Sequence, residues 1–298
     1  MPSGTTVIVK ARTSRRVRPT LRLVRPANLA VSFVGTVVGG LAAAAVGLGA
    51  SATVWVFLGL AAASTALVTA GGNVLNDLGD LEGDRLNHPD RPLVTGELTP
   101  RFARGLTGGL FVAGVLVVVP VAWSRPWVAV ILAAAIAGLL TYELRWKARG
   151  LVGNVTVGGL TAMVFLYGGA AVGRPLLMVP FAAMAFFATL SREVIKDMED
   201  VAGDATRRTV PKVLGMPPAA RLARAAVAAA IVLSVTPYLW YLPPGSAAGL
   251  AYGLVVAGSD AVFVASVFWL PGRLRFEQTV SKGAMALALG AFLAVAFR

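Results

Sequence analysis

Residues 26–76 read PANLAVSFVGTVVGGLAAAAVGLGASATVWVFLGLAAASTALVTAGGNVLN, 51 positions without one charged side chain. A membrane-crossing helix needs about 20 apolar residues, so the stretch holds two spans, with the turn at Gly47-Leu-Gly-Ala-Ser51. Working outward, further uncharged runs cover Gly105–Ser124, Pro126–Tyr142, Gly150–Gly173, Pro175–Ser191 and Gly283–Phe297. Residues 225–272 are broken only by Asp260 and are divided by Pro243-Pro244-Gly245-Ser246. The pattern predicts an all-α membrane protein of nine spans, near 27–47, 51–76, 102–123, 126–145, 151–172, 176–198, 219–242, 246–270 and 280–297. Composition agrees. The 298 residues are 57% hydrophobic and 14% charged, against about 25% charged in soluble domains, and the mean hydropathy is +0.75. A disordered chain is excluded and a soluble enzyme disfavoured. There is no cysteine and one histidine, His88, which excludes disulfides, zinc–thiolate sites, cysteine nucleophiles and histidine-cluster metal sites.

The net charge of +13 would suggest nucleic acid in a soluble protein. In a membrane protein it marks basic cytoplasmic loops, and no nucleic-acid partner is expected. With nine spans, the N-terminal tail shares one side with loops 2–3, 4–5, 6–7 and 8–9. That side holds 24 of the 27 Lys and Arg residues; Arg125, Arg174 and Arg298 fall on the other. The N-terminus is therefore expected in the cytoplasm, in a multi-pass protein of the cell membrane. Residues 1–21 read as a basic cytoplasmic tail and 22–298 as a single transmembrane domain. No obligatory protein partner is evident. Thirteen of the 14 acids also fall on the cytoplasmic side. The rule for basic residues does not require acids to follow them, so that face has a use for carboxylates.

Two segments align at a constant offset of 120 residues. They are Asn76-Asp77-Leu-Gly-Asp80-Leu-Glu-Gly83-Asp84 and Lys196-Asp197-Met-Glu-Asp200-Val-Ala-Gly203-Asp204. Both read D-x-x-D-x-x-G-D, and Asn73 and Glu193 precede them by one turn. Such repeats mark an architecture of duplicated units. The spacing i, i+4, i+7, i+11 puts the four positions within roughly 60° of arc on a helix, a stripe of oxygen ligands. Gly79 and Gly83 each weaken the helix by about 1 kcal/mol, so the last turn is free to unwind.

Carboxylates without His or Cys are hard oxygen donors suited to Mg2+ or Ca2+. Mg2+ binds through one or two carboxylates plus substrate phosphates. Arg85, Arg91, Arg192, Lys196, Arg207, Arg208 and Lys212 stand close by in sequence. Acids and bases interleaved around a metal suit an anionic, magnesium-bound leaving group. A membrane transporter is the alternative from a different class, since nine spans and a repeat are compatible with one. Transporter charges, however, usually lie near the midplane.

The motifs resemble those of the UbiA superfamily of intramembrane prenyltransferases. Asn76, Asp77, Asp80 and Asp84 match its first motif, and Asp197, Asp200 and Asp204 its second. The resemblance covers residues 22–298. Within it, Leu23-Val-Arg-Pro-Ala-Asn28, Asn87-His-Pro-Asp-Arg-Pro-Leu-Val-Thr-Gly96, Phe165-Leu-Tyr-Gly-Gly-Ala170 and Arg192–Asp204 look like the archaeal digeranylgeranylglyceryl phosphate synthase branch. Thr206-Arg-Arg-Thr-Val-Pro211 departs from the family's Gly-x-x-Thr-Leu-Pro but leaves the acids untouched.

The resemblance implies nine helices around a central cavity, with loops 2–3 and 6–7 as its cytoplasmic cap. It implies a prenyl diphosphate donor with Mg2+, a lipid-like acceptor, and a membrane lipid as product. In the synthase branch, geranylgeranyl diphosphate alkylates the hydroxyl of geranylgeranylglyceryl phosphate. An aromatic prenyltransferase acting on 4-hydroxybenzoate or a naphthoate uses the same donor chemistry, so the aspartates do not separate the two. Asn73, Asp77, Asp80 and Asp84 are assigned to one Mg2+ region, and Asp197, Asp200 and Asp204 to another. Arg91, Arg192, Lys196 and Lys147 are candidates to grip diphosphate. The resemblance puts Tyr142 near the cleaving bond, although an interfacial tyrosine is the plainer reading. Arg22 and Arg25 are candidates for an acceptor phosphate or positive-inside anchors. Asn154 is expected to line the cavity or to join two helices. Glu193 is read as orienting Lys196, His88 as a turn residue, Asp260 as a packing hydrogen bond, and Gly158–Gly173 as close helix packing.

Overall fold

A computed structural model describes residues 16–45, 51–202, 208–243 and 245–297. Among the described residues, all regular structure is helical. Within the described residues, a helix over residues 16–24 is followed by nine helices long and apolar enough to cross a membrane. These are α1 Pro26–Ala45, α2 Ala52–Gly79, α3 Pro100–Ser124, α4 Pro126–Trp146, α5 Leu151–Ala171, α6 Pro175–Glu199, α7 Met216–Trp240, α8 Ala247–Phe268 and α9 Leu274–Phe297. The shortest has 20 residues, which at 1.5 Å each gives the roughly 30 Å of a hydrocarbon core. Their outward faces stay apolar: Trp123, Leu254 and Val232 are 92%, 78% and 72% exposed. So much bare apolar surface would drive aggregation in water and is ordinary against lipid.

Where both ends are described, eight spans match the hydropathy reading to within three residues. α9 begins six residues early, because its first turn carries Arg275, Glu277 and Gln278, which hydropathy counts as loop. Glu277 is fully buried there. The aspartate stripe is also modified. α2 stops at Gly79, Asp80 forms the junction, and a short helix Leu81–Asn87 carries Asp84. α6 likewise ends at Glu199 and continues as a tighter 3-10 turn over Asp200–Ala202. The break falls at Asp80, directly after Gly79, whereas Gly83 stays within the short helix.

The described chain forms two compact units. The first comprises residues up to Phe33 and Ala63–Val117; the second comprises Val34–Ala62 and the chain from Val118. In the first, Leu23, Val74, Leu93, Leu98 and Ala103 form a core. It ties the residues before α1 to the end of α2, to the following loop and to the start of α3. In the second, Phe165, Phe181, Tyr241, Tyr252 and Phe292 anchor one core. The Phe292 ring meets Phe165 and Phe181 edge-on at 5.5 and 4.8 Å. A further core joins Val194, Ile195 and Met198 of α6 to Ala223 and Val227 of α7 and to Phe263 and Val267 of α8. α6 thus contributes to both, which fixes the helix that ends in the second acidic motif.

Close packing through small residues places α5. A Cβ on Gly168 would lie 2.2 Å from the Thr36 carbonyl oxygen and 2.7 Å from the Gly40 nitrogen. Lipid supplies no hydrophobic drive between helices, so such close backbone contact carries the association. Gly168→Ala should therefore cost about 2 kcal/mol through overpacking, read as a lower thermal midpoint in detergent. Gly59→Ala, where nothing lies within 4 Å of an added Cβ, should leave the midpoint unchanged or raise it slightly.

Candidate active site

The first motif forms its cluster within the first unit. Asp77 and Asp84 are 3% and 5% exposed. Ionised carboxylates so buried must be paired, and the loop after the motif supplies the partner. Arg91 Nη1 donates to Asp77 Oδ1 at 3.1 Å and also to Asp84 Oδ2. One guanidinium nitrogen thus receives an oxygen from each acid. Arg25 donates a second charged hydrogen bond to Asp77. It ends the 16–24 helix with φ 57°, the one described non-glycine residue at positive φ. That conformation costs an L-residue about 1 kcal/mol, and it persists here while the side chain holds a buried aspartate.

Asn73 also anchors the backbone beside this cluster. Its Nδ2 donates to the Val24 carbonyl at 2.7 Å, and its Oδ1 accepts from Asn28 Nδ2 at 3.4 Å. The amide pins the segment that delivers Arg25. Arg22 donates to Glu97 Oε1 at 3.1 Å and to the Asp90 carbonyl, and all three residues are well exposed. His88 caps the short helix through its backbone N–H to Asp84.

The second motif lies in the second unit. Asn154, 6% exposed in the first turn of α5, donates from Nδ2 to Asp197 Oδ2 at 2.9 Å. Buried Glu193 accepts from Arg192 Nη1 at 2.7 Å and faces Lys196 Nζ at 3.6 Å. Asp200 is exposed at the helix end. Asp204 and Arg207 lie outside the described residues.

A third group is added by α4, whose last turn, Tyr142–Trp146, widens to a π-helix. Such turns recur at functional sites. Lys147 Nζ donates to Glu143 Oε2 at 2.7 Å and lies 6.0 Å from the centroid of the Tyr142 ring. Gly150, at φ 52°, sets the turn that follows; a Cβ there would lie 2.5 Å from the Arg208 carbonyl oxygen. The Arg208 amide in turn donates to the Ala148 carbonyl at 3.2 Å. Loop 4–5 is thereby held against the far end of loop 6–7.

The UbiA prenyltransferase family model matches residues 32–296. The chain belongs to that family. It is 38% identical over 293 residues to the digeranylgeranylglyceryl phosphate synthase of Methanopyrus kandleri, covering 93% of this chain and 99% of that one. A solved digeranylgeranylglyceryl phosphate synthase superposes with a TM-score of 0.77 at 25% identity, over 94% of this chain and 98% of the other. A UbiA homologue from Archaeoglobus fulgidus, solved with GPP and Mg2+, superposes at 0.64 and 19% identity, over 94% and 100%. The chain is therefore a membrane-embedded prenyltransferase, and the transporter alternative is set aside.

This UbiA member shows residues that the sequence reading passed over. Glu143 stands four residues before Lys147, a spacing that pairs on any helix, and the pattern was available. Arg25 was singled out by sequence for an acceptor phosphate, but its pairing with Asp77 and the contact of Asn28 with Asn73 carry no such signal. Asp260 accepts a hydrogen bond from Ser234 at 2.8 Å, the packing role expected of it. Among the described residues, no three acids stand close enough together to enclose a metal ion; two acids and a shared arginine are what the first motif presents. Removing that arginine strands two carboxylates. Arg91→Met should destabilise the protein in detergent by about 2 kcal/mol, less than the 3–5 of a fully buried pair because Arg91 is 23% exposed. Adding Asp84→Asn to the same chain should recover part of the loss, measured by denaturant titration.

Proposed function

We propose that this chain transfers a geranylgeranyl group from geranylgeranyl diphosphate to the free hydroxyl of geranylgeranylglyceryl phosphate. The allylic C–O bond to diphosphate breaks, an ether C–O bond forms, and the hydroxyl gives up its proton. The product carries the second ether of the archaeal lipid. The observation that carries this reading is the 38% identity to the Methanopyrus kandleri synthase over nearly the whole of both chains. Residues 22–298 act as one domain in this reading, with the N-terminus and both acidic motifs on the cytoplasmic side.

The donor set fits a hard divalent cation. Asp77 and Asp84 each direct an oxygen at one positively charged nitrogen, and no sulfur or imidazole ligand competes. Asn73, Asp77, Asp80 and Asp84 would hold one Mg2+, and Asp197 and Asp200, with Asp204, another. When bound, Mg2+ supplies neutralisation of the charge that grows on the leaving diphosphate.

The protein's own groups do the remaining work. Arg91, Lys196, Arg192 and Lys147 bind diphosphate oxygens. Each is stored on a carboxylate, Arg91 on Asp77 and Asp84, Arg192 and Lys196 on Glu193, and Lys147 on Glu143. Asn154 positions Asp197. Tyr142, beside Lys147, turns its ring to the developing allylic cation, whose charge an aromatic face stabilises. The apolar spans shelter that cation from water. Arg25 is engaged with Asp77 and supports it. Arg22, whose partners are exposed, binds the acceptor phosphate.

Three experiments test the reading. Asp77→Ala and Asp197→Ala should each lower turnover at least a thousandfold while the protein still elutes as a folded species in detergent. EDTA should stop the wild-type reaction and added Mg2+ restore it. Full activity in either variant would remove the metal assignment. Purified protein with Mg2+ and labelled geranylgeranyl diphosphate should also be offered geranylgeranylglyceryl phosphate and 4-hydroxybenzoate together. Label should enter the diether lipid; label on the aromatic ring would overturn the acceptor.

A further inference from the structure

The second unit carries an open, charged cleft beside the end of the second motif, with Glu199, between Asp197 and Asp200, in its wall. It measures about 490 Å³ and is lined by Glu199, Gly272, Arg273, Leu274, Arg275 and Phe276. It lies where α6 ends and the α8–α9 hairpin turns. The turn is braced from behind. Arg224 of α7 donates from Nε to the Val267 carbonyl at 3.2 Å and from Nη2 to the Leu270 carbonyl at 2.6 Å. Fully buried Glu277 lies in the first turn of α9. The two cations of the cavity are therefore presented by a fixed backbone.

Those cations are weakly committed. The Arg275 side chain is 93% exposed and meets Glu199 at 3.4 Å, and a pair so exposed to solvent contributes little. Arg273 stacks over the Trp269 ring at 5.3 Å. It is also the N-cap of α9 and makes no side-chain cap bond, so the first amides of that helix add partial positive charge to the rim. Around the rim, Phe268, Trp269 and Phe276 are 65%, 53% and 54% exposed. Exposed aromatic rings at the ends of spans lie at the membrane interface. Basic side chains at that depth meet lipid phosphates.

We infer that this cavity binds the phosphate of an anionic bilayer lipid, with Arg273 and Arg275 on the phosphate and Trp269 and Phe276 against the glycerol and upper acyl chain. The ligand is a lipid of the surrounding membrane, neither the prenyl donor nor the acceptor, so the assignment is independent of the acceptor proposed above.

The test uses the full chain in a neutral detergent, titrated with phosphatidylglycerol or phosphatidylcholine and followed by thermal unfolding and native mass spectrometry. Phosphatidylglycerol should raise the melting midpoint saturably, phosphatidylcholine should not, and the effect should weaken with salt. Arg273→Gln with Arg275→Gln should weaken phosphatidylglycerol binding about tenfold or more, from the usual attraction of two basic residues to an anionic lipid. Arg275→Gln alone, at an exposed side chain that cannot unfold the protein, should weaken it severalfold. Glu199→Gln should strengthen it, because a competing carboxylate is removed. Arg101→Gln with Arg104→Gln, a basic pair outside the cavity, should leave binding unchanged. Equal binding by the wild type and the Arg273/Arg275 double variant would overturn the site. An equal effect of inorganic phosphate would also overturn it, since it would show that no lipid is read. A raised KM for the acceptor in the double variant, with phosphatidylglycerol binding unaltered, would assign the cavity to substrate instead.

Discussion

A carboxylate at the end of an apolar helix loses much of its hydration, and the loss is several kcal/mol unless a cation or a set of hydrogen bonds replaces the water. Much of what surrounds the two motifs follows from that constraint. Asp77 and Asp84 share Arg91, and Asp77 also takes Arg25. Glu193 holds Arg192 and Lys196, and Glu143 holds Lys147. In the reaction proposed above, these basic residues would stay on their acids until an anionic substrate competes for them. The same pairing accounts for acids that follow basic residues to one side of the membrane although topology requires only the basic ones to be there.

Pairing also explains local geometry that propensity would not produce. A helix C-terminus most often turns through glycine. Here the turn falls at Arg25, and Asn73 clamps the preceding backbone through Val24. The strained residue is one whose side chain reaches Asp77. Gly150 does the opposite: it has no side chain to offer, and its left-handed turn leaves room for the Arg208 carbonyl, which joins two loops bearing cations.

The spans were legible because burying a helix backbone in lipid demands about 20 uncharged residues, a signal that needs no knowledge of neighbours. The start of α9 was not, because Glu277 in its first turn is fully buried, and hydropathy scores a buried acid as solvent-exposed. The acidic motifs were legible from their repeat, and the weak point at Gly79 from its propensity. Partners were harder. Lys147 with Glu143 lies within one helix turn and obeys a spacing rule. Asn154 with Asp197 joins α5 to α6, and sequence alone left Asn154 divided between lining a cavity and packing. The bond to Asp197 places it at the motif, a choice that only the packing of two helices could make.

The two copies of the repeat also show how one helix position takes on different work. Position 73 is an asparagine, and its amide both donates and accepts, so it can fasten a backbone carbonyl and a second amide without adding charge. Its counterpart 120 residues later is Glu193, whose carboxylate cannot donate but can hold two cations. Exchanging them would fail for both. A glutamate at 73 would face the Val24 carbonyl with a like partial charge and bring a third carboxylate near Asp77. An asparagine at 193 would leave Arg192 and Lys196 without a counter-ion in a site 7% exposed. Duplication supplied the aspartates in register, and the residue one turn before them diverged according to what each end had to fasten, a length of backbone in one copy and a pair of cations in the other.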